Sequence, residues 1–257
     1  STSPDQDGNY GLQILLARTG TFKLETDQPT FVTFQHDDFT PVHQEPTIFL
    51  ATVQNNSLNF NVLNTHAPCH KQDLRSTSEA DWTPNNFIQR VNWWRHLQSI
   101  LNSKLSHDKP TFWLTDANTR LGSINSSAVG SHHPDKEDQT GNIFHEILLQ
   151  HGLHIPATFH NNNDISSNTS RGQRSDYIAI SNAYKSTTIS SGPDRSIDLL
   201  TQNKDHTLVG TKLLISQPTG TRLLRRRKHL LDYNKFNDPH AQQLFTYTLQ
   251  RPPIIPW

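Results

Sequence analysis

The chain has 257 residues, and its 23 Lys and Arg residues balance its 23 Asp and Glu residues. A neutral composition gives no global basic field of the kind that marks many nucleic-acid-binding proteins. The single cysteine, Cys69, excludes an internal disulfide framework and fits a reducing compartment. Because no apolar run reaches the length of a membrane span and no signal-peptide pattern is present, we expect an intracellular protein without a membrane partner.

The organisation of the chain changes after Ser216. The chain begins at Ser1 and contains no methionine, so we expect a processed product or a piece of a longer polypeptide. The basic cluster Arg225–Lys228 and a Pro-rich end follow the change in composition. We predict one domain over residues 1–216 and a basic, Pro-ending linker or tail over residues 217–257, with phosphate binding by the cluster as the less favoured alternative.

Runs of β-branched and aromatic residues predict strands along most of the domain. They occupy residues 10–18, 30–34, 47–53, 58–65, 111–114, 177–181 and 207–215. The polar connection Gln54–Ser57 predicts a hairpin between two of these strands. In its second strand Phe60 and Val62 are expected to face inward and Asn61 outward, whereas residues 36–46 and 182–204 are predicted to be loop or irregular.

Two helices are predicted between the strands. Thr83 and Pro84 suit an N-cap and a first helical position, and apolar residues then recur every three or four positions. These apolar residues are Phe87, Val91, Trp94, Leu97, Leu101 and Leu105. A second helix is predicted from about Gly141 to Gln150, with Thr140 as its cap and Gly152 as its stop.

Polar side chains end several of the predicted strands. They are His66, Asp116 with Asn118, Asp176, and Asp205 with His206. Strands of a packed sheet can bring such ends to one rim, and this set suits metal-assisted hydrolysis of a phosphate ester. Carboxylates hold a hard cation and orient water, and a histidine braced by a carboxylate transfers protons near neutral pH. An Asx turn at Asp116 and a structural ion pair between Asp176 and His206 are the alternatives.

Sequence motifs of other kinds of catalysis are absent or poorly matched. The chain has no Gly-rich phosphate-binding loop and no Gly-x-Ser-x-Gly nucleophile motif. His132 and His133 near Asp135 do not have the spacing of a zinc site. Phosphate-ester hydrolysis therefore remains the chemistry that these residue types favour.

Four short motifs occur in an order that resembles a known superfamily. They are Thr65-His-Ala-Pro68, Leu114-Thr-Asp-Ala-Asn118, Arg174-Ser-Asp-Tyr-Ile178 and Lys204-Asp-His206. Together they resemble the endonuclease/exonuclease/phosphatase superfamily, whose members include DNase I-like and apurinic endonucleases. The paired tryptophans Trp93-Trp94 and the basic linker ending in Pro-Trp resemble, in particular, the endonuclease domains of non-LTR retrotransposons.

The resemblance implies a fold and a set of missing elements. It implies an α/β fold, a four-layer sandwich in which helices flank two packed mixed β-sheets. It also implies an upstream strand with an Asn and another ending in a metal-ligating Glu, for which Glu25 and Glu45 are in the wrong context. We therefore expect an N-terminally truncated domain that lacks this Glu, and its status as an enzyme stays open.

The resemblance also implies a role for each candidate residue. His66 would protonate the leaving group or stabilise the transition state, and Asp116 would orient or deprotonate the attacking water. Asn118 would contact the phosphate, and Asp176 would brace His206. The remaining carboxylate, Asp205, would be a ligand of Mg²⁺ or Mn²⁺.

The expected function is that of a Mg²⁺-dependent, DNA-nicking endonuclease domain of a retrotransposon polyprotein. DNA is the expected partner, together with a reverse transcriptase region C-terminal to this chain, and we expect a monomer in the nucleus. Two alternatives stay open. One is an inactive remnant that folds and binds DNA weakly, and the other is a phospholipid or inositol-phosphate phosphoesterase of the same superfamily.

Overall fold

The computed structural model describes residues 12, 19–23, 29–55, 58–69, 84–132, 134–159, 174–195 and 206–214. Several sequence predictions fall outside these residues. They are most of the strand at 10–18, the Thr83 cap, the metal ligand Asp205 and the tail at 217–257.

Ten strands and two α-helices form in the described ranges. The strands are β1 (Thr19–Lys23), β2 (Pro29–Thr33), β3 (Phe39–Glu45), β4 (Ile48–Gln54), β5 (Asn59–His66), β6 (Thr111–Asp116), β7 (Leu153–His154), β8 (Asp176–Ser181), β9 (Thr188–Asp194) and β10 (Leu208–Leu213). The helices are α1 (Pro84–Lys104) and α2 (Gln139–Gln150). Neither helix combines the length and the apolar character that crossing a lipid bilayer requires.

A mixed sheet of six strands organises the domain. Its order is β3-β4-β5-β6-β8-β7, and β5 and β6 run parallel while the other neighbours are antiparallel. Two small antiparallel sheets, β1–β2 and β9–β10, accompany it. The predicted mixed α/β architecture is confirmed, as is the hairpin formed by β4 and β5.

The main core lies between this sheet and the two helices. Trp94 and Leu97 on α1 are fully buried, as are Trp113 on β6 and Phe144 on α2. The Phe144 ring stacks on Trp94 at a centroid distance of 4.9 Å and meets Trp113 edge-on at 5.0 Å. Burying large aromatic side chains contributes most strongly to a core of this kind, so these contacts fix the helices on the sheet.

The opposite face of the sheet carries a second apolar cluster. Val53, Phe60 and Val62 are buried there, and Phe112 packs against them. Tyr184, in the 3₁₀ turn before β9, stacks on Phe112 at 5.8 Å. The sheet is therefore apolar on both faces, as expected for a sheet inside a layered fold.

Two segments differ from the sequence prediction of loop. Residues 36–46 contain the short 3₁₀ turn His36–Asp38 followed by β3. Strand β3 is an edge strand, where Pro41 costs no internal ladder bond, and this is why a Pro-containing segment forms a strand here. Residues 182–194 form a 3₁₀ turn and β9 rather than irregular chain.

Two side-chain predictions are also wrong. Asn61 is buried rather than outward-facing, and its amide donates a hydrogen bond to the carbonyl oxygen of Ser106 at 2.8 Å. The cap of α2 is Asp138, which accepts a hydrogen bond from the Gly141 N–H at 2.7 Å, whereas Thr140 lies within the helix. The predicted stop is confirmed, because Gly152 follows the helix with a φ of 62°.

Candidate active site

Three strands bring polar side chains to one edge of the large sheet. His66 ends β5, Asp116 ends β6 and Asp176 begins β8. In the ladder His66 is the register partner of Asp116, and Asp116 is the register partner of Asp176. Because β5 and β6 are parallel and β8 is antiparallel to them, two strand ends and one strand start meet at the same edge.

The chain segments next to these three residues are joined by backbone hydrogen bonds. The N–H of Ala67 donates to the carbonyl oxygen of Asp116 at 2.8 Å, and the N–H of Ala117 donates to that of Ser175 at 2.8 Å. The ladder thus continues one residue beyond the strands. Groups held in this way on rigid elements keep their geometry better than groups on free loops.

His66 and His206 each contact one of the two carboxylates. The Nε2 of His66 lies 3.4 Å from Oδ2 of Asp116, and the Nδ1 of His206 lies 2.9 Å from Oδ2 of Asp176. These four side chains are between 21% and 40% exposed, so water and a substrate can reach them. Each carboxylate orients one imidazole ring, the arrangement that suits proton transfer by histidine.

Asn118 shapes the turn that follows Asp116. Its backbone has a φ of 44°, the left-handed region that Asn tolerates better than most residues. Its N–H donates to Oδ1 of Asp116 at 3.2 Å, and its side-chain amide donates to the carbonyl oxygen of Ala67 at 2.8 Å. The Asx turn anticipated as an alternative is therefore present, and it lies inside the candidate site.

The donor atoms of Asp116, Asp176 and His206 fit a divalent cation. One ligand atom from each of these residues lies within 4.8 Å of the other two. Carboxylate oxygens are the ligands that Mg²⁺ and Mn²⁺ take, whereas an imidazole nitrogen is more typical of transition metals. The set therefore suits a hard or borderline divalent cation with two oxygens and one nitrogen from the protein.

A buried arginine lies behind the turn. Arg90 on α1 is 2% exposed, and its Nη2 donates to the carbonyl oxygen of Asn118 and to Oγ1 of Thr140. Burial lowers the pKa of Arg90, while the carboxylate of Asp138 acts in the opposite direction. A guanidinium remains charged under these conditions, so a positive charge sits beneath the Asx turn.

The motif Arg174–Ile178, which includes the start of β8, also stabilises the fold. Tyr177 is buried against Phe144, and its hydroxyl donates to the carbonyl oxygen of Arg174 at 2.8 Å. Burial raises the pKa of Tyr177 well above its ordinary value, so this hydroxyl stays protonated. Tyr177 therefore anchors the start of β8, while its neighbour Asp176 points to the site.

Most of the predicted site residues come together. His66, Asp116, Asp176 and His206 form the row, and Asn118 forms the turn beside it, whereas Asp205 lies outside the described residues. The sequence reasoning missed Arg90. A signal was available, since Arg90 lies four residues before the buried Trp94 and so falls on the apolar stripe of α1.

Comparison with known proteins gives matches only among solved structures. No protein-family model and no curated protein matches the chain. A 3'-5' exonuclease from Neisseria meningitidis is similar at 16% identity and a TM-score of 0.47, over 66% of each chain. An AP endonuclease from Archaeoglobus fulgidus is similar at 16% identity and a TM-score of 0.47, over 69% of this chain and 71% of that one.

The endonuclease domain of TRAS1, a telomere-specific non-LTR retrotransposon, is a third similar structure. Its identity is 15% and its TM-score 0.42, over 77% of this chain and 80% of that chain. The chain thus spans about two thirds of the length of the Neisseria exonuclease and somewhat more of the other two. These likenesses concern the backbone, and the chemistry of the site depends on its own side chains.

Proposed function

We propose that this chain is a metal-dependent phosphodiesterase that nicks DNA. The observation that carries the proposal is the row of His66, Asp116 and Asp176 across three adjacent strands, completed by His206 on Asp176. Two histidines and two carboxylates at one partly exposed edge supply a cation site and two proton-transfer groups within a few ångströms.

Each residue has a role in hydrolysis that its contacts support. Asp116 accepts a hydrogen bond from the attacking water and orients it towards phosphorus. The new P–O bond forms as the bond to the 3′-oxygen breaks, and His66 delivers a proton to that oxygen. The Nε2 of His66 lies 3.4 Å from Oδ2 of Asp116. The residue that takes a proton from the water therefore lies next to the residue that gives a proton to the leaving group.

Asp176 and His206, together with Asn118, would bind the phosphate and the cation. Asp176 accepts the Nδ1 proton of His206, which fixes the tautomer and holds the ring beside the candidate cation site. Asn118 uses one amide proton for Ala67, and its second amide proton suits a phosphate oxygen. A divalent cation, which we propose to be Mg²⁺ or Mn²⁺, would supply positive charge against the phosphate oxygens.

The proposed substrate and context follow from the motif resemblance. A 3′-hydroxyl left by such a nick would serve as a primer for reverse transcription, as expected in a retrotransposon polyprotein. DNA is therefore the proposed partner, and a reverse transcriptase region is the proposed neighbour along the polyprotein.

A plasmid-nicking assay tests this function. Supercoiled DNA is incubated with the chain and Mg²⁺ or Mn²⁺, with EDTA as the metal-free reaction. Asp116→Asn and His206→Asn are each expected to lower the nicking rate at least about 100-fold, the scale of a lost proton-transfer group. Nicking that persists in EDTA, or that survives both substitutions, contradicts the proposal.

A matched imidazole–carboxylate pair, outside the row of four side chains, serves as a control. The Nε2 of His96 lies 3.0 Å from Oε1 of Glu45, an imidazole–carboxylate contact much like that of His206 with Asp176. The control histidine is 52% exposed, and the active-site histidine is 40% exposed. His96→Asn is expected to leave the nicking rate within about twofold, because contacts of this exposed kind contribute little to stability.

A further inference from the structure

Arg90 is a buried charged residue that contacts the turn beside Asp116. It is 2% exposed, and charged side chains are rarely buried unless they are paired. The Nη2 of Arg90 lies 4.0 Å from Oδ2 of Asp138. The same nitrogen donates hydrogen bonds to the carbonyl oxygen of Asn118 and, at 2.8 Å, to Oγ1 of Thr140.

The carbonyl that Arg90 holds belongs to the turn that sets Asp116. Asn118 donates its N–H to Oδ1 of Asp116 and its side-chain amide to Ala67 O. The N–H that binds Asp116 and the carbonyl that Arg90 holds lie on either side of the Asn118 Cα, so a displacement of this residue moves both groups. A hydrogen bond from a charged donor to the Asn118 carbonyl opposes that displacement, and such bonds are roughly twice as strong as neutral ones.

The other group that Arg90 contacts, the start of α2, is also held rigidly. Asp138 accepts hydrogen bonds from the Gly141 N–H and from the hydroxyls of Thr119 and Thr140. A Cβ at Gly141 would collide with the carbonyl oxygen of Arg120, so the first turn of α2 packs directly on the segment after the Asx turn. Arg90 therefore lies between two rigid parts, the start of α2 and the turn after β6.

We propose that Arg90 is a positioning residue for Asp116, acting through the carbonyl oxygen of Asn118. The inference rests on the function proposed above, because it concerns the carboxylate assigned to the attacking water and to the cation. Loss of the contact lets the turn relax and the Asp116 carboxylate rotate away from its partner His66. A misplacement of about 1 Å in such a group can lower a rate by about 100-fold.

Arg90→Lys tests the inference, because it keeps the positive charge but has a shorter side chain, whose Nζ does not reach the position from which Nη2 donates to both acceptors. We expect kcat for plasmid nicking to fall about tenfold or more and KM for DNA to stay within about twofold. We also expect Mn²⁺ binding, measured by calorimetry, to weaken several-fold. In Arg90→Ala, added guanidinium at tens of millimolar should restore part of kcat.

His145→Gln is the control for a general loss of stability. His145 is buried on α2, and its two ring nitrogens contact Ser126 Oγ at 2.7 Å and Glu137 Oε1 at 3.1 Å. It has no contact with Asp116 or Asn118 among the described residues. We expect a lower unfolding temperature with kcat and Mn²⁺ affinity within about twofold of wild type.

The outcomes separate the two proposals. If wild type nicks and Arg90→Lys nicks equally well, or if His145→Gln loses as much kcat as Arg90→Lys does, the positioning role is overturned. If wild type does not nick, the proposed function fails and Mn²⁺ affinity decides the role of Arg90. Weaker binding in Arg90→Lys but not in His145→Gln then supports positioning, and equal binding overturns it.

Discussion

Asp116 and Asp176 are register partners across the ladder of β6 and β8, so their two carboxylates lie side by side on one sheet edge. Two adjacent carboxylates repel each other when both are charged, and a bound cation removes that cost. We therefore expect Mg²⁺ or Mn²⁺ to raise the unfolding temperature. At a concentration 100 times the Kd, the stabilisation should be about 2.7 kcal/mol.

Thermal denaturation with and without cation checks this expectation. Asp116→Asn should remove most of the cation-dependent shift, because one ligand and one charge are lost. Asp37 is fully exposed beside His36, away from the row, so Asp37→Asn is the control and should keep the shift. A shift of equal size in Asp116→Asn would place the cation elsewhere.

Asn118 gives a prediction about backbone strain. Its φ of 44° suits Gly and Asn and is unfavourable for residues with a plain Cβ. Asn118→Gly and Asn118→Ala both lose the hydrogen bond to Ala67, but only the alanine adds strain. We expect Asn118→Ala to have a free energy of unfolding about 1 kcal/mol below that of Asn118→Gly, measured by urea denaturation. Equal values would mean that the turn relaxes without cost.

Phe144 gives a prediction about the core. It is fully buried and contacts Trp94, Trp113 and Tyr177 through its ring. Phe144→Ala should lower the free energy of unfolding by about 3–5 kcal/mol, because the cavity cannot close among such large rings. Leu149 on the same helix is 47% exposed, so Leu149→Ala should cost well under 1 kcal/mol by urea denaturation. Similar losses in both variants would contradict the described packing of α2.

His151 gives a prediction about acid stability. Burial, with His107 stacked on its ring at 5.3 Å, lowers the pKa of His151 to about 4. An unfolded histidine has a pKa of about 6.5, so below that pH the unfolded chain binds a proton that the folded chain does not. The free energy of unfolding should fall by on the order of 2 kcal/mol between pH 6.5 and 4, with no effect of this residue above that range.

Urea denaturation at several pH values measures this loss. His151→Phe should flatten the part of the pH dependence between 6.5 and 4, because the side chain that gains a proton on unfolding is gone. His36 is fully exposed, so His36→Phe is the control and should leave the slope unchanged. An unchanged slope in His151→Phe would assign the acid sensitivity to other groups.

The clustering of the candidate residues was largely predictable, because they lie at the ends of strands whose local sequence patterns are clear. Runs of β-branched and aromatic residues mark β5, β6 and β8, and a polar residue at the end of each run indicates an edge. The pairing of Asp116 with Asp176 was not readable from either segment alone. It depends on the register between strands far apart in sequence, which packing of the whole sheet decides.

The errors have identifiable physical causes. Residues 36–46 were predicted to be loop because they are acidic and contain proline, yet β3 is a sheet edge, where the missing N–H of Pro41 costs little. Residues 182–204 were predicted to be irregular, yet β9 forms a two-stranded sheet with β10. Asp138 and Thr140 are both good capping residues, and only the fold decides that Asp138 reaches the Gly141 N–H. The residue types alone do not single out Arg90, because its role depends on the turn after β6, which packs against α1 only in the folded chain.

The row of four side chains is assembled from widely separated parts of the chain. His66 ends β5, while the last member of the row, His206, lies two residues before the start of β10. A ribosome that is still synthesising the domain can release β5 and β6 long before residue 206 is made. A growing chain therefore lacks part of this row until residue 206 has been made.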